Sequence, residues 1–241
     1  MPIVATKPDP LERYVPLGAK LAVYSFLLVY LVQAAEAFYE YTPGRSWPFL
    51  LTAIRNGIFL FIHEGGHALF YFFGRTLNIL GGSFWQIVFP LLSFVLAIRN
   101  RSHFIAPFAL FWVGTNMMDV SLYMRDAPIR ILPLLGGHKS WHDWWNLFRE
   151  WDMLESAGAW ADVFYFGGLL VSIGAIGWGV FWTVRRFLEP VSAAPAVSRR
   201  LLDGGDPTLG KQRYIQPQTS EEKSPPPAEV KDPGNTFDGL I

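Results

Sequence analysis

The chain has 241 residues, 51% of them hydrophobic and 16% aromatic, with 17% charged and no cysteine. Soluble domains carry about 25% charge, so a mean hydropathy of +0.23 with 10 Trp and 20 Phe points to lipid as the main solvent. Without Cys there is no disulfide scaffold, Cys-ligated zinc finger, iron–sulfur cluster or thiol nucleophile, and Lys plus Arg equal Asp plus Glu at 20 each, which gives no electrostatic case for nucleic acid.

A helix needs ~20 mostly apolar residues to cross the hydrocarbon core, and about five stretches meet that need. The first, about Leu17 to Phe38, is too long for a signal peptide and has no cleavage signature, which argues against a secreted enzyme. The second runs from about Phe49 to Phe73 and contains HEGGH; the third, about Ile79 to Ile98, holds Pro90. The fourth, about Phe104 to Met124, ends in a polar stripe, and the fifth, about Val163 to Val184, is Gly-rich. Between these last two, roughly Ser140 to Leu154 is amphipathic and carries four Trp, which suits a membrane interface. From about Leu188 the chain turns to Pro, Glu, Lys, Ser and Gly, with Pro225 to Pro227 in a row, and is expected to be disordered. The reading is therefore an all-α, polytopic membrane helix bundle over residues 1–187 with a disordered Pro-rich tail over 188–241.

Orientation depends on where Lys and Arg fall. With five spans, Arg99 and Arg101 share a side with Arg185 and Arg186, which leaves the N-terminus on the other side. Lys7, Arg13 and Lys20 pull against that arrangement.

His63 and His67 are four residues apart, so on a helix they share a face one turn apart, and Glu64 sits beside them. Two imidazoles at this spacing can bind one zinc, with the carboxylate placed to take a proton from an acidified water. Ionisable groups inside a span are costly and mark function by default. The plain alternative is a pair of histidines hydrogen-bonded within a bundle. Asn56 extends the polar seam toward the start of the span. Gly65 and Gly66 suit close helix packing or room for substrate. Gly81–Gly82 is either a turn or an edge for an extended substrate.

A catalytic zinc takes three protein ligands and keeps one open position. Asp119, Asp126 and His142 compete for the third place. Each also has a structural use: Asp119 as a partner of Asn116 or Arg125, Asp126 as a cap or a partner of Arg130, and His142 with Asp143 as the start of an interfacial helix. Any that does not bind metal can orient a ligand. His103 reads as interfacial, and His138 with His142 forms a second HxxxH spacing.

HEGGHAL, residues 63–69, resembles the HExGHA pattern of the site-2 protease type of intramembrane zinc metalloprotease. The resemblance implies a zinc held by two His and a later carboxylate, with the Glu as general base. Its implied substrate is a peptide bond within or beside a membrane helix. That family's later Asn-Pro/Asp-Gly motif is not found in its usual form, and there is no PDZ domain. More of the chain resembles a group of small bacterial membrane proteins in which the HExGHA helix is followed by YxxDA, LPLxGG and HDW. Here these are Tyr123 with Asp126–Ala127, Leu132 to Gly137, and His142–Asp143–Trp144. This resemblance favours Asp126 or His142 over Asp119 as the third ligand.

The expected function is thus a zinc metalloprotease of a bacterial inner membrane, acting on membrane-protein or peptide substrates, with Glu64 as base and the lipid bilayer as its main partner. Two other readings stand beside it: a di-iron membrane oxygenase built on the two HxxxH pairs, and a non-enzymatic membrane protein with a structural metal or polar site. The tail serves as a spacer or binds an unidentified partner.

Overall fold

The computed structural model describes residues 10–135, 138 and 141–189, with side chains from Tyr14 onward. The tail from 190 and its expected disorder, and Gly136 and Gly137 of the LPLxGG stretch, lie outside the described residues. The regular elements among the described residues are all helical, with no strand. The order is α1 (Pro10–Tyr39), α2 (Phe49–Ala53), a π-helical segment (Ile54–Phe59), α3 (Leu60–Phe70), a 3-10 turn (Tyr71–Phe73), α4 (Arg75–Arg99), α5 (Ile105–Asp126), α6 (Asp143–Glu150), a 3-10 turn (Leu154–Ser156) and α7 (Ala157–Leu188).

Four of these helices are long and apolar enough to cross a membrane: α1, α4, α5 and α7. They divide by burial. The apolar windows of α1, α4 and α7 are 22–28% buried, whereas that of α5 is 72% buried although its hydropathy is the lowest. The inversion is what lipid demands, since the surface facing hydrocarbon must be apolar while polar side chains turn inward. Accordingly Thr115, Asn116, Asp119, Ser121 and Asp126 of α5 are all buried.

Small residues let the helices approach. A Cβ on Gly114 of α5 would lie 2.2 Å from Ser172 Oγ and 2.5 Å from the Gly168 carbonyl of α7. A Cβ on Gly179 would lie 2.2 Å from the Tyr24 ring of α1, and one on Gly66 of α3 would lie 2.2 Å from the Gly81 carbonyl of α4. These are the small-residue contacts that carry helix association where no hydrophobic force acts between helices.

The contacts also fix directions. Tyr14 meets Phe187 and Tyr39 meets Tyr165, so α1 and α7 are antiparallel. Tyr24 meets Phe104, Tyr30 meets Phe111 and Tyr39 lies under Arg125, so α1 and α5 are parallel. A short turn joins α4 to α5, and Gln86 reaches back to Asp119, so these two are antiparallel. The C-terminal end of α1 and the start of α4 therefore lie at one end of the bundle.

Four helices of crossing length thus stand beside the about five apolar stretches of the sequence. The stretch bearing HEGGH leaves the C-terminal end of α1, where Trp47 packs on Phe38, and returns to the same end at Arg75. Its middle dips inward to Trp112 and Asp119 of α5. It is apolar enough to resemble a fifth crossing, but it enters and leaves on one side. The amphipathic segment is present as α6, shorter than the expected 140–154.

Candidate metal centre

The π segment gives the site helix its register. Its wider i→i+5 winding, of the kind found at functional sites, places Arg55 within reach of Asp119 on the side that also carries His63. From His63 a chain of polar contacts runs into α4 and α5. His63 Nδ1 is 3.1 Å from Gln86 Oε1, Gln86 Nε2 donates to Asp119 Oδ2 at 2.8 Å, and Arg55 Nε donates to Asp119 Oδ1 at 2.6 Å. Asp119 accepts only, so the Gln86 amide must turn its NH2 toward it and its oxygen toward His63. His63 Nδ1 is then the donor. His67 Nδ1 likewise donates to the Asn78 carbonyl at 2.8 Å, and Asn78 Nδ2 donates back to the His67 carbonyl at 2.6 Å.

With both Nδ1 atoms protonated, both Nε2 atoms of the neutral rings are lone-pair donors to whatever they face. They face Asp143. Its Oδ2 is 3.1 Å from His63 Nε2 and 3.3 Å from His67 Nε2. Three acceptors that converge in this way attract a cation, either a proton or a metal ion. Tetrahedral zinc with ligand bonds of about 2.0–2.2 Å separates its donor atoms by about 3.3–3.5 Å, close to the spacings here. Gly82 leaves the space for it, because a Cβ there would lie 2.6 Å from both Nε2 atoms. These residues could hold one divalent metal, and among the described residues they are the one such group of His and acidic side chains.

Asp143 arrives from a distant part of the chain, so its placement needs explaining. It is the first residue of α6, after His142 at the N-cap. His142 is fully buried: its Nδ1 accepts from the Trp145 N–H at 3.2 Å and its Nε2 donates to Asp126 Oδ2 at 3.1 Å. Asp126 also accepts from the N–H groups of Ile131 and Leu132, which tightens the chain leaving α5. The Asp143 N–H donates to Tyr123 Oη at 3.0 Å, and Trp144 Nε1 donates to Ser83 Oγ of α4 at 3.0 Å. Burial works to raise the Asp143 carboxyl, but when a proton sits on Nε2 of His63 or His67 the hydrogen bond and positive charge of the ring outweigh it and hold the group below the usual carboxylate range.

The sequence candidates thus separate by place. His63 and His67 come together with Asp143, which the sequence offers only as a helix-start acid. Asp119 sits behind His63 through Gln86, and Asp126 and His142 bond to each other, with both His142 ring nitrogens engaged. The second HxxxH pair accordingly lacks a free ring nitrogen at His142. His103 stacks on Trp182 at the other end of the bundle, with ring centroids 4.3 Å apart. Gly81 and Gly82 form neither a turn nor an edge, since both lie within α4.

Glu64 is exposed and lines a cavity of about 360 Å³ with the two histidines and Asp143. Asn56, Leu132 to Leu135 and Trp141 form other parts of its wall. The volume falls within the range of small-ligand sites. No protein family, no curated protein and no solved structure matches the chain.

Proposed function

We propose that the chain is a membrane-embedded zinc metalloprotease, in which His63, His67 and Asp143 hold the metal and Glu64 is the general base. The observation that carries this reading is the convergence of two Nε2 atoms and a carboxylate oxygen beside a cavity whose wall includes Glu64. Zinc, when bound, supplies a Lewis acid and a water acidified to near neutral pH.

The chain's own residues do the rest. Gln86 and the Asn78 carbonyl hold the imidazoles by their Nδ1 atoms, so that the Nε2 atoms cannot rotate out of the site. Asp119, neutralised by Arg55, keeps Gln86 in the orientation that His63 requires. Glu64 takes a proton from the attacking water and delivers it to the amine that leaves as the peptide C–N bond breaks. Leu132, Pro133 and Leu134 give the cavity an apolar side against which a peptide segment can lie. The resemblance of residues 63–69 to the site-2 protease pattern agrees with this assignment, and a bacterial inner membrane is the location it implies.

The test is elemental analysis of detergent-purified chain together with cleavage of fluorogenic single-span peptides in micelles. About one zinc per chain is expected, retained in Glu64→Gln, with cleavage reduced on the order of 10²–10⁴-fold, the contribution of a positioned general base. Zinc without cleavage in the wild type would leave a structural metal site, and absence of zinc after supplementation would remove the reading altogether.

A further inference from the structure

Arginines at the end of the bundle where the HEGGH stretch enters mostly meet acids: Arg45 pairs with Glu36, Arg75 with Glu150 and Arg125 with Asp162. Arg130 and Arg149 do not. Both of their guanidinium carbons lie within 4.3 Å of one ring centroid, that of Trp145, and Arg130 Nε is buried without a hydrogen-bond partner. An aromatic face attracts a cation but cancels none of its charge. Among the described residues, two positive charges therefore meet at Trp145 without a counter-ion. Glu150, next to Arg149, is taken by Arg75 and Thr76. Asp126, four residues before Arg130, is taken by His142 and the N–H groups of Ile131 and Leu132. Exposed Asp152 pairs with neither arginine.

The place of the pair narrows what can neutralise it. Arg130 follows the last residue of α5 by four positions, and α6, which carries Trp145 and Arg149, is tied to the start of α4 through Glu150. Both charges thus sit where helices of crossing length end, at the depth of lipid headgroups, with Trp145 as the interfacial ring. Ile129 and Ile131, on either side of Arg130 in the chain, are exposed, and so is Trp151 at the end of α6. A free inorganic anion gains nothing from apolar neighbours, whereas a phospholipid brings a phosphate and acyl chains together.

We propose that Arg130, Trp145 and Arg149 form a binding site for the phosphate of an anionic phospholipid. The guanidinium N–H groups donate to the phosphate oxygens, a match of planar donor to anion that arginine makes better than lysine, and the acyl chains lie along Ile129 and Ile131. Basic sites beside membrane helices recognise anionic headgroups in this way. The Arg130 N–H donates to the Asp126 carbonyl at 2.6 Å, and the Trp145 N–H donates to His142 Nδ1 at 3.2 Å. The headgroup is therefore held by the same stretch of chain that carries Asp143. Lipid binding here needs neither zinc nor cleavage.

The test is native mass spectrometry of the delipidated full chain in nonionic detergent, titrated with dioleoyl phosphatidylglycerol or dioleoyl phosphatidylcholine. The wild type should take up one phosphatidylglycerol at least about tenfold more tightly than phosphatidylcholine. Arg149→Gln and Arg130→Gln should each weaken that first binding event by at least about tenfold, with helix content by circular dichroism unchanged. Arg149 is exposed, so its variant carries the test even where Arg130→Gln fails to fold. Arg186→Gln, which removes an exposed charge at the far end of α7, is the control and should bind as the wild type does. Equal affinity for the two lipids, or equal weakening in Arg186→Gln, overturns the site. Displacement of phosphatidylglycerol by millimolar inorganic phosphate overturns the lipid as its occupant and leaves a site for a free anion.

Discussion

Replacing Gly82 with alanine tests the metal centre without touching a ligand. The added Cβ would lie 2.6 Å from Nε2 of both His63 and His67. Ordinary contact needs about 3.5 Å, so each ring must retreat by roughly 1 Å. Ligand positions tolerate about 0.2 Å before coordination suffers. Retreat is also opposed from behind, because the Nδ1 atoms are held by Gln86 and the Asn78 carbonyl. Zinc affinity should therefore fall by at least about 100-fold, equivalent to ~2.7 kcal/mol. The neighbouring Gly81→Ala is the control: its Cβ would lie 2.7 Å from Phe70 Cβ and meets no imidazole. Overpacking of that kind costs about 1–3 kcal/mol of stability in either variant. Zinc per chain is measured beside thermal unfolding in detergent. Gly82→Ala should unfold much as Gly81→Ala does while losing its zinc. Undiminished zinc in Gly82→Ala, or equal zinc loss in both, would refute the site drawn between the two rings.

Three further outcomes are expected. Asp143→Asn should abolish stoichiometric zinc, whereas Asp126→Asn should keep it with affinity lowered about 10–100-fold, the usual effect of losing an outer partner; competition with a chromogenic chelator distinguishes them. Gly114→Ala should destabilise the bundle by about 1–3 kcal/mol, because its Cβ meets Ser172 Oγ and the Gly168 carbonyl, and thermal unfolding with unchanged zinc content checks it. Chelation should leave helix content by circular dichroism nearly constant, since the α5–α7 packing lies apart from the site. The melting temperature should nevertheless fall, because chelation removes the linkage contribution to stability, about 2.7 kcal/mol when zinc stood at 100 times its Kd.

What the sequence revealed follows the range of the interactions involved. His63, Glu64 and His67 are readable because their geometry is local, set by one helical turn. The all-helical architecture is readable because hydrophobic runs of crossing length are local as well. Asp143 is not readable as a partner of His63, 80 residues earlier, because it is placed by contacts that no spacing encodes: Tyr123 on its N–H, and Asp126 through His142 on the turn before it. Those same residues carry the YxxDA and HDW resemblances, so the motifs point to the right neighbourhood, while the structure gives Asp126 and His142 the task of holding Asp143 in place. The direction of the HEGGH stretch escapes hydropathy for a related reason. A helix that crosses and one that dips and returns can have the same composition, and only the partners of its two ends tell them apart.

The π segment gives chain length a meaning of its own. An i→i+5 turn accommodates more residues than an α turn in the same space. Deleting one residue between 54 and 59 would favour ordinary winding and rotate everything beyond it by about 100° relative to what precedes it. HEGGH would survive intact, with His63 and His67 still one turn apart, yet both would point away from Asp143 or drag Arg55 off Asp119. The site is thus in phase with the bundle only at the present residue count. A shorter chain with every ligand preserved would carry the motif without the centre.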